Sequence, residues 1–161
     1  ANGVGKGWGQ WRQAGLTLDV LGPTREYHGT DSDPNNDSVV LRATRRSVRI
    51  LLTGDIERPA QQSLLDSGAD LAADVLKQPH HGSSKLLPAF VSAVSARVAV
   101  IGVGAGNDYG HPSATALRAD RAAGIGTILR TDTDGDVQVV LTGGELATVA
   151  RGTAGATAVH R

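Results

Sequence analysis

The sequence contains no cysteine and no methionine, and only 3% of its residues are aromatic. Without cysteine, a disulfide framework and every zinc site built on thiolate are excluded. Any metal here must be held by His, Asp or Glu. The scarcity of aromatics leaves core packing to Ala, Val, Leu and Ile. Net charge is lacking too, because 16 Lys and Arg balance 16 Asp and Glu. No global field therefore draws the chain to nucleic acid or a membrane surface, although a DNA substrate is not excluded. No stretch approaches the ~18 apolar residues of a membrane span. The opening ANGVGKGWGQWRQAG has neither the apolar run of a secretory leader nor a Met, and reads as the start of an excised domain.

What remains is 161 residues, 40% of them hydrophobic, enough for one packed domain. Leu16–Leu21 (LTLDVL) and Ser38–Thr44 (SVVLRAT) alternate apolar and polar residues as half-buried strands do. Val48–Thr53 follows across a turn at Arg45-Arg46, and Gly22–Asp37, rich in Pro, Asp, Asn and Gly, reads as a surface loop. Beyond Asp55 the pattern becomes strand–helix alternation. Helices are predicted over Glu57–Ser67, Leu86–Ser95 and Ser113–Ala123, and strands over Ala72–Lys77, Arg97–Val103 and Thr127–Arg130. Asp134-Gly135 reads as a hairpin turn into Val137–Leu141, with a further strand Leu146–Ala150 and a frayed tail over 151–161. This order predicts an α/β layer structure with a mixed sheet.

Candidate chemistry gathers at successive strand ends. Asp55 closes LLTGD, where Gly54 lets the backbone turn the carboxylate out. His80 and His81 follow the next strand in LKQPHHGSS, and His111 follows the one after in GVGAGNDYGHP. Ligand sites of open α/β sheets lie at such ends, and a hydrolytic metal wants oxygen and imidazole ligands from rigid elements. The blander readings are a helix N-cap for Asp55, a solvated loop for His80-His81, and a turn residue for His111. The three together favour a site, and predict Asp55 within ~12 Å of the His111 ring or the His80/His81 pair. Gly82, Ser83 and Ser84 fit a phosphate-binding turn better than a nucleophile elbow. Gly3–Gly9 lacks phosphate-loop spacing and reads as flexible. Asp132–Asp136 (DTDGD) lacks the closing Glu of a calcium loop and reads as a turn. Arg42, Arg45, Arg46 and Arg49 form a basic cluster, read as a solvent face with DNA contact as the alternative.

Taken in order, NNDSVVLRA, LLTGDIE, ADVLKQPHHGSS, RVAVIGVG, NDYGHP and LRTDTDGDV resemble the metallo-β-lactamase-like domain of the ComEC/Rec2 DNA-internalisation proteins, from about Trp11 to Val140. The resemblance implies a four-layer αββα sandwich with two mixed sheets, and one or two divalent ions (Mn²⁺ or Zn²⁺) at its edge. It implies Asp55 and His111 as metal ligands, with His80 and His81 sharing the roles of ligand and proton donor. Asn36 falls where many relatives carry a further His, and joins Gly82, Ser83 and Ser84 among the residues expected near substrate phosphate. The family's leading H-x-H-x-D-H is absent, so the chain reads as the C-terminal portion of the domain. Residues 1–150 would be that partial domain, with 1–15 a flexible start. The implied function is a nuclease that degrades the DNA strand not taken in, with a non-catalytic DNA-guiding or structural module as the alternative. The implied partners are DNA and the rest of a membrane channel, with no lipid-embedded segment in this chain. The implied location is a soluble domain of the cell membrane protein, on the extracytoplasmic face. Weak metal binding and slow or no cleavage are expected of this chain alone.

Overall fold

The structure, a computed structural model, describes residues 9–142, 145–152 and the backbone of 157–160. Three antiparallel strands open the expected part of the sheet: β2 (Leu16–Gly22), β3 (Val40–Arg45) and β4 (Val48–Leu52). Then come α2 (Arg58–Asp66), β5 (Val75–Lys77), α3 (Pro88–Val94), β6 (Val98–Ile101), α4 (Ala114–Ala122) and β7 (Thr127–Arg130). Strands β4 to β7 run parallel, so each ends on the same sheet edge. Ser113 caps α4, its hydroxyl accepting the Ala116 N–H, which fixes where the helix begins after the His111 loop.

Three elements depart from the sequence reading, and the loop over 22–37 contains a short helix, α1 (Asp33–Asn36). In place of a wholly flexible start there is β1 (Gly9–Gln13), paired antiparallel with β2. Ala14 and Gly15, both at positive φ (48° and 79°), make the two-residue turn between them, which matches the twist of a hairpin. Residues 3–8 lie outside the described ones. The second departure concerns Asp134-Gly135, which is not a hairpin turn. The chain passes through α5 (Thr131–Asp134) and leaves the sheet. The Asp134 carboxylate takes the Arg130 N–H, and the Arg130 guanidinium pairs with Asp132. Gly135, at φ 67°, then redirects the chain where a Cβ would run into the Arg151 carbonyl oxygen. The chain continues into β8 (Asp136–Thr142), which pairs with β9 (Glu145–Arg151). Within the tail expected to fray, Thr157–His160 form β10 against β9.

The result is a seven-stranded mixed sheet in the order β1 to β7, and a separate antiparallel sheet β10-β9-β8. The period of two along each strand sorts side chains to opposite faces. Leu51, Leu76 and Ala99 pack under the helices with Leu64, Phe90, Val91 and Ala116. Their neighbours Ile50, Val75, Val98 and Val100 face Val137, Val139 and Leu146 of the small sheet. The described residues thus form three layers, helix on sheet on sheet. The α/β class stands, and among the described residues the second sheet is antiparallel. Between β2–β4 and β8–β9 a cleft of about 420 Å³ stays open, lined by Leu16, Ile50, Val139 and Leu146 together with Arg45 and Arg46. Within the arginine cluster Arg45 and Arg46 are exposed, whereas Arg42 and Arg49 are paired with acids. Arg42 is bound between Asp19 (3.3 Å) and Asp70 (2.8 Å), and Arg49 lies 3.6 Å from Asp70. Among the described residues no helix is long and apolar enough to cross a membrane.

Candidate active site

Parallel strands β4, β5 and β6 each hand one loop to the same edge. After β4, the buried Thr53 donates its hydroxyl to the Lys77 carbonyl (2.8 Å), binding the end of β4 to β5. Gly54 then takes φ 56°, where a Cβ would stand 2.6 Å from Ser38 Cβ, so the backbone can turn only with glycine. Asp55 emerges beyond it, its N–H donating to Ser38 Oγ (3.2 Å). After β5, His80, His81 and Gly82 adopt three successive left-handed conformations (φ 46°, 54° and 79°). For the two histidines this costs on the order of 1–3 kcal/mol each, and such strain clusters at functional sites. After β6, the Asn107 side chain clamps the backbone of His111, donating to its carbonyl (2.8 Å) and accepting its N–H (3.1 Å).

These loops bring the side chains together. His81 Nε2 lies 3.6 Å from Asp55 Oδ1, well inside the expected distance. The His80 ring centroid is 6.4 Å from that of His81 and 5.7 Å from that of His111. His81 Nδ1 donates to the Gly102 carbonyl (2.6 Å). A carbonyl only accepts, so Nδ1 carries a proton, which leaves Nε2 as the nitrogen facing Asp55. On the other side of Asp55, Lys77 Nζ sits 3.5 Å away and donates to the Gly54 carbonyl (2.9 Å). Burial lowers the Lys77 pKa, and the Asp55 charge acts against that. His111 Nδ1 is buried without a hydrogen bond. Desolvation, then the fields of His80 and His81, hold the His111 pKa below the usual imidazole range, which favours its neutral form. Tyr109, 81% exposed, stacks on His111 (centroids 6.1 Å apart) at the mouth of an open cleft of about 340 Å³ that His81 also lines.

A residue that sequence reasoning missed completes the cluster. Glu57 is only 2% exposed, yet its carboxylate has three polar neighbours. Lys85 Nζ reaches both oxygens (3.2 and 3.0 Å), Asn35 Nδ2 donates to Oε1 (3.2 Å), and His80 Nδ1 lies 3.3 Å from Oε1. A buried carboxylate without such partners would be costly. The Glu57 bond comes first among the causes that raise the Lys85 pKa. The available signal was the acid two places after Asp55 in TGDIE, at the N-cap of α2.

The residues assigned to phosphate contact fare differently. Asn36 is fully buried and spent on the start of α2. Its Oδ1 accepts the N–H groups of Glu57 (3.1 Å) and Ala60 (3.2 Å), and its Nδ2 donates to Thr30 Oγ1 and Ser32 O. That leaves the amide no group to offer a substrate. Ser83 is buried, its N–H donating to the His80 carbonyl (2.9 Å) and its Oγ accepting the Lys85 N–H (3.2 Å). The Gly82 carbonyl accepts the Ser113 N–H (2.8 Å), and the carbonyl of the exposed Ser84 accepts from Arg58 (3.1 Å). Gly82 and Ser83 therefore brace the loop, and Ser84 faces outward.

Asp55 and His81 offer an oxygen and an imidazole nitrogen in one place, the donor types a hard or borderline divalent ion takes. Among the described residues, however, no group of three or more His, Asp and Glu side chains is arranged to hold a metal ion. Asp55 and His81 are two potential donors side by side, with His80 and His111 next to them.

No family model matches the chain. It is similar to the Competence protein ComA of Neisseria gonorrhoeae, 34% identical over 131 residues, which is 80% of this chain and 18% of that protein. It is also similar to the ComE operon protein 3 of Bacillus subtilis (strain 168), 34% identical over 124 residues, 76% of this chain and 16% of that protein. A third relative, the Uncharacterized protein YcaI of Escherichia coli (strain K12), is 36% identical over 106 residues, 64% of this chain and 14% of that protein. The chain is thus related to a segment of competence proteins and spans less than a fifth of the length of each relative it matches.

Proposed function

We propose that the chain is part of a metallo-β-lactamase-like hydrolase domain of a competence protein. In this reading the complete domain hydrolyses DNA phosphodiesters, degrading the strand that is not taken in, on the extracytoplasmic side of a membrane channel. The observation that carries the reading is the Asp55–His81 pair, an imidazole nitrogen and a carboxylate oxygen 3.6 Å apart at a sheet edge. Two electron-rich groups so placed favour a cation beside them, and oxygen with imidazole suits Mn²⁺ or Zn²⁺. Two donors hold such an ion only loosely. The set is completed, in this proposal, by the H-x-H-x-D-H motif that this sequence lacks. A bound ion would supply Lewis acidity.

The chain's own residues divide the remaining work. His81, its tautomer fixed by Gly102, is the ligand. His80, whose Nδ1 lies 3.3 Å from the Glu57 carboxylate, is the proton donor to the departing oxygen, a role worth ~10²–10⁴-fold in rate. His111 stays neutral beside them as a further donor. The second reading, a DNA-guiding or structural module without catalysis, is favoured by the lack of a three-residue ligand group among the described residues.

The test uses a polypeptide uniting this chain with an H-x-H-x-D-H segment. Mn²⁺-dependent nicking of supercoiled plasmid is expected, and Asp55→Ala is expected to reduce it by about 10²-fold or more without loss of fold. The 161-residue chain by itself is expected to nick slowly or not at all. Vigorous Mn²⁺-dependent degradation by the chain alone, abolished by Asp55→Ala, would contradict the two-donor account. No nicking by the united polypeptide, with DNA binding retained, would favour the guiding module.

A further inference from the structure

Beneath the histidine loop lies a polar pair that the hydrolase reading does not use. Gln78 joins β5 to Pro79 and His80, and its N–H donates to the Val100 carbonyl (2.9 Å). Asp120 lies on α4, the helix that follows His111 and whose cap, Ser113, binds the Gly82 carbonyl. Both side chains are fully buried. Gln78 Nε2 donates to Asp120 Oδ1. The other two atoms of the pair, Gln78 Oε1 and Asp120 Oδ2, are buried with no hydrogen-bond partner. Both are acceptors as they stand, and turning the amide over would still leave an acceptor oxygen without a donor. One proton resolves both vacancies, since a carboxylic acid and a primary amide can close two parallel hydrogen bonds.

We propose that Gln78 and Asp120 form a proton-operated latch under the His80–His81 loop. With a proton on Asp120 Oδ2, the O–H donates to Gln78 Oε1 while Gln78 Nε2 donates to Oδ1. Without it, both Oε1 and Oδ2 lose their partner and the two side chains are joined by one bond. Asp120 is therefore a positioning residue for the histidine loop, and the latch stands whether or not the cluster holds an ion.

The surroundings agree. Burial pushes the Asp120 carboxyl up to about 6, against the Gln78 hydrogen bond and the charge of Arg121. Helix α3, packed on α4, carries no ionisable side chain, and neither does β6. Lys77 on β5 is engaged by Asp55, and Arg130 on β7 by Asp132. A carboxyl raised in the folded state contributes stability that is complete below the unfolded value of 3.8 and is lost as pH rises through about 6.

Carboxyl-carbon NMR of the 161-residue chain, with Asp120→Asn used for assignment, tests this directly. The Asp120 signal is expected to titrate near 6, about two units above an ordinary aspartate. Asp120→Asn keeps both bonds through its amide, so its Tm at about pH 8 is expected to exceed the wild-type value by about 5 °C. The advantage should vanish towards about pH 4. Hydrogen exchange at the Gln78 N–H near that upper pH should be about tenfold slower in Asp120→Asn than in wild type. Asp120→Ala, which opens a void and leaves Gln78 unpaired, should fall below both at every pH. An Asp120 midpoint at 3.8 or lower, or an Asp120→Asn variant whose Tm tracks wild type across the range, would overturn the latch.

Discussion

Gly82→Ala is expected to destabilise the fold by about 3–5 kcal/mol, and to do so by dislodging the histidine loop. The backbone at Gly82 has φ 79°, which an alanine adopts only with strain. Space is also lacking. A Cβ there would stand 2.6 Å from Pro112 Cβ and 3.1 Å from Pro112 Cα, the latter a backbone atom that cannot swing away. Relief would require the PHHG loop and the His111–Pro112 segment to part, breaking the Ser113-to-Gly82 hydrogen bond. Urea unfolding of the variant measures the loss, and imidazole NMR reports whether the His80 and His111 rings separate. A loss below about 1 kcal/mol with unmoved histidine signals would show that the close approach does not constrain the site.

Asn36→Ala is expected to cost about 2–5 kcal/mol. The side chain closes four hydrogen bonds in a fully buried place, and two of its donors are the Glu57 and Ala60 N–H groups at the start of α2. Truncation leaves those N–H groups buried and unpaired, beside a buried Glu57 carboxylate whose position they help to set. Asn36→Asp should be nearly as damaging, because it deletes the donors to Thr30 and Ser32 and adds a negative charge next to Glu57. Thermal unfolding of both variants, with the His80–Glu57 contact followed by NMR, checks the claim. A fall in Tm of less than about 3 °C would mean that Asn36 does not organise this corner.

Much of the site's framework was readable in the sequence because it depends on short-range signals. Gly54 and Gly82 announce turns, apolar runs of four to six residues announce the strands β4 to β7, and the parallel order then places their ends on one edge. What escaped depends on partners far along the chain. Glu57 is buried by Lys85, 28 positions away, and Asp120 meets Gln78 across 42 positions. The place of Glu57 two positions after Asp55 hints at a role, but neither acid's sequence neighbours show that it is buried. Strand β1 (GQWRQ) is exposed along its whole length, so no buried face imposes alternation, and its pairing with β2 is what forms it. Arg42 reads as a surface cation, yet Asp19 and Asp70 enclose it from a neighbouring strand and a distant loop. Asp134-Gly135 carries a hairpin signal, but the Arg130–Asp132 pair and the Arg130 N–H bond to Asp134 wind that segment into α5 instead.

The central claim is that Asp55 and His81, with His111 beside them, form the seat for a divalent cation, and Mn²⁺ itself can report on it. Paramagnetic broadening in ¹H–¹⁵N spectra of the 161-residue chain, titrated with Mn²⁺, maps every position near the bound ion. The expected result is selective loss of the signals of Asp55, His81, Gly102 and His111 at sub-stoichiometric to millimolar Mn²⁺, with Asp55→Ala restoring them. Broadening centred on the acidic turn Asp132–Asp136, or spread evenly over the surface and unchanged in Asp55→Ala, would contradict the account.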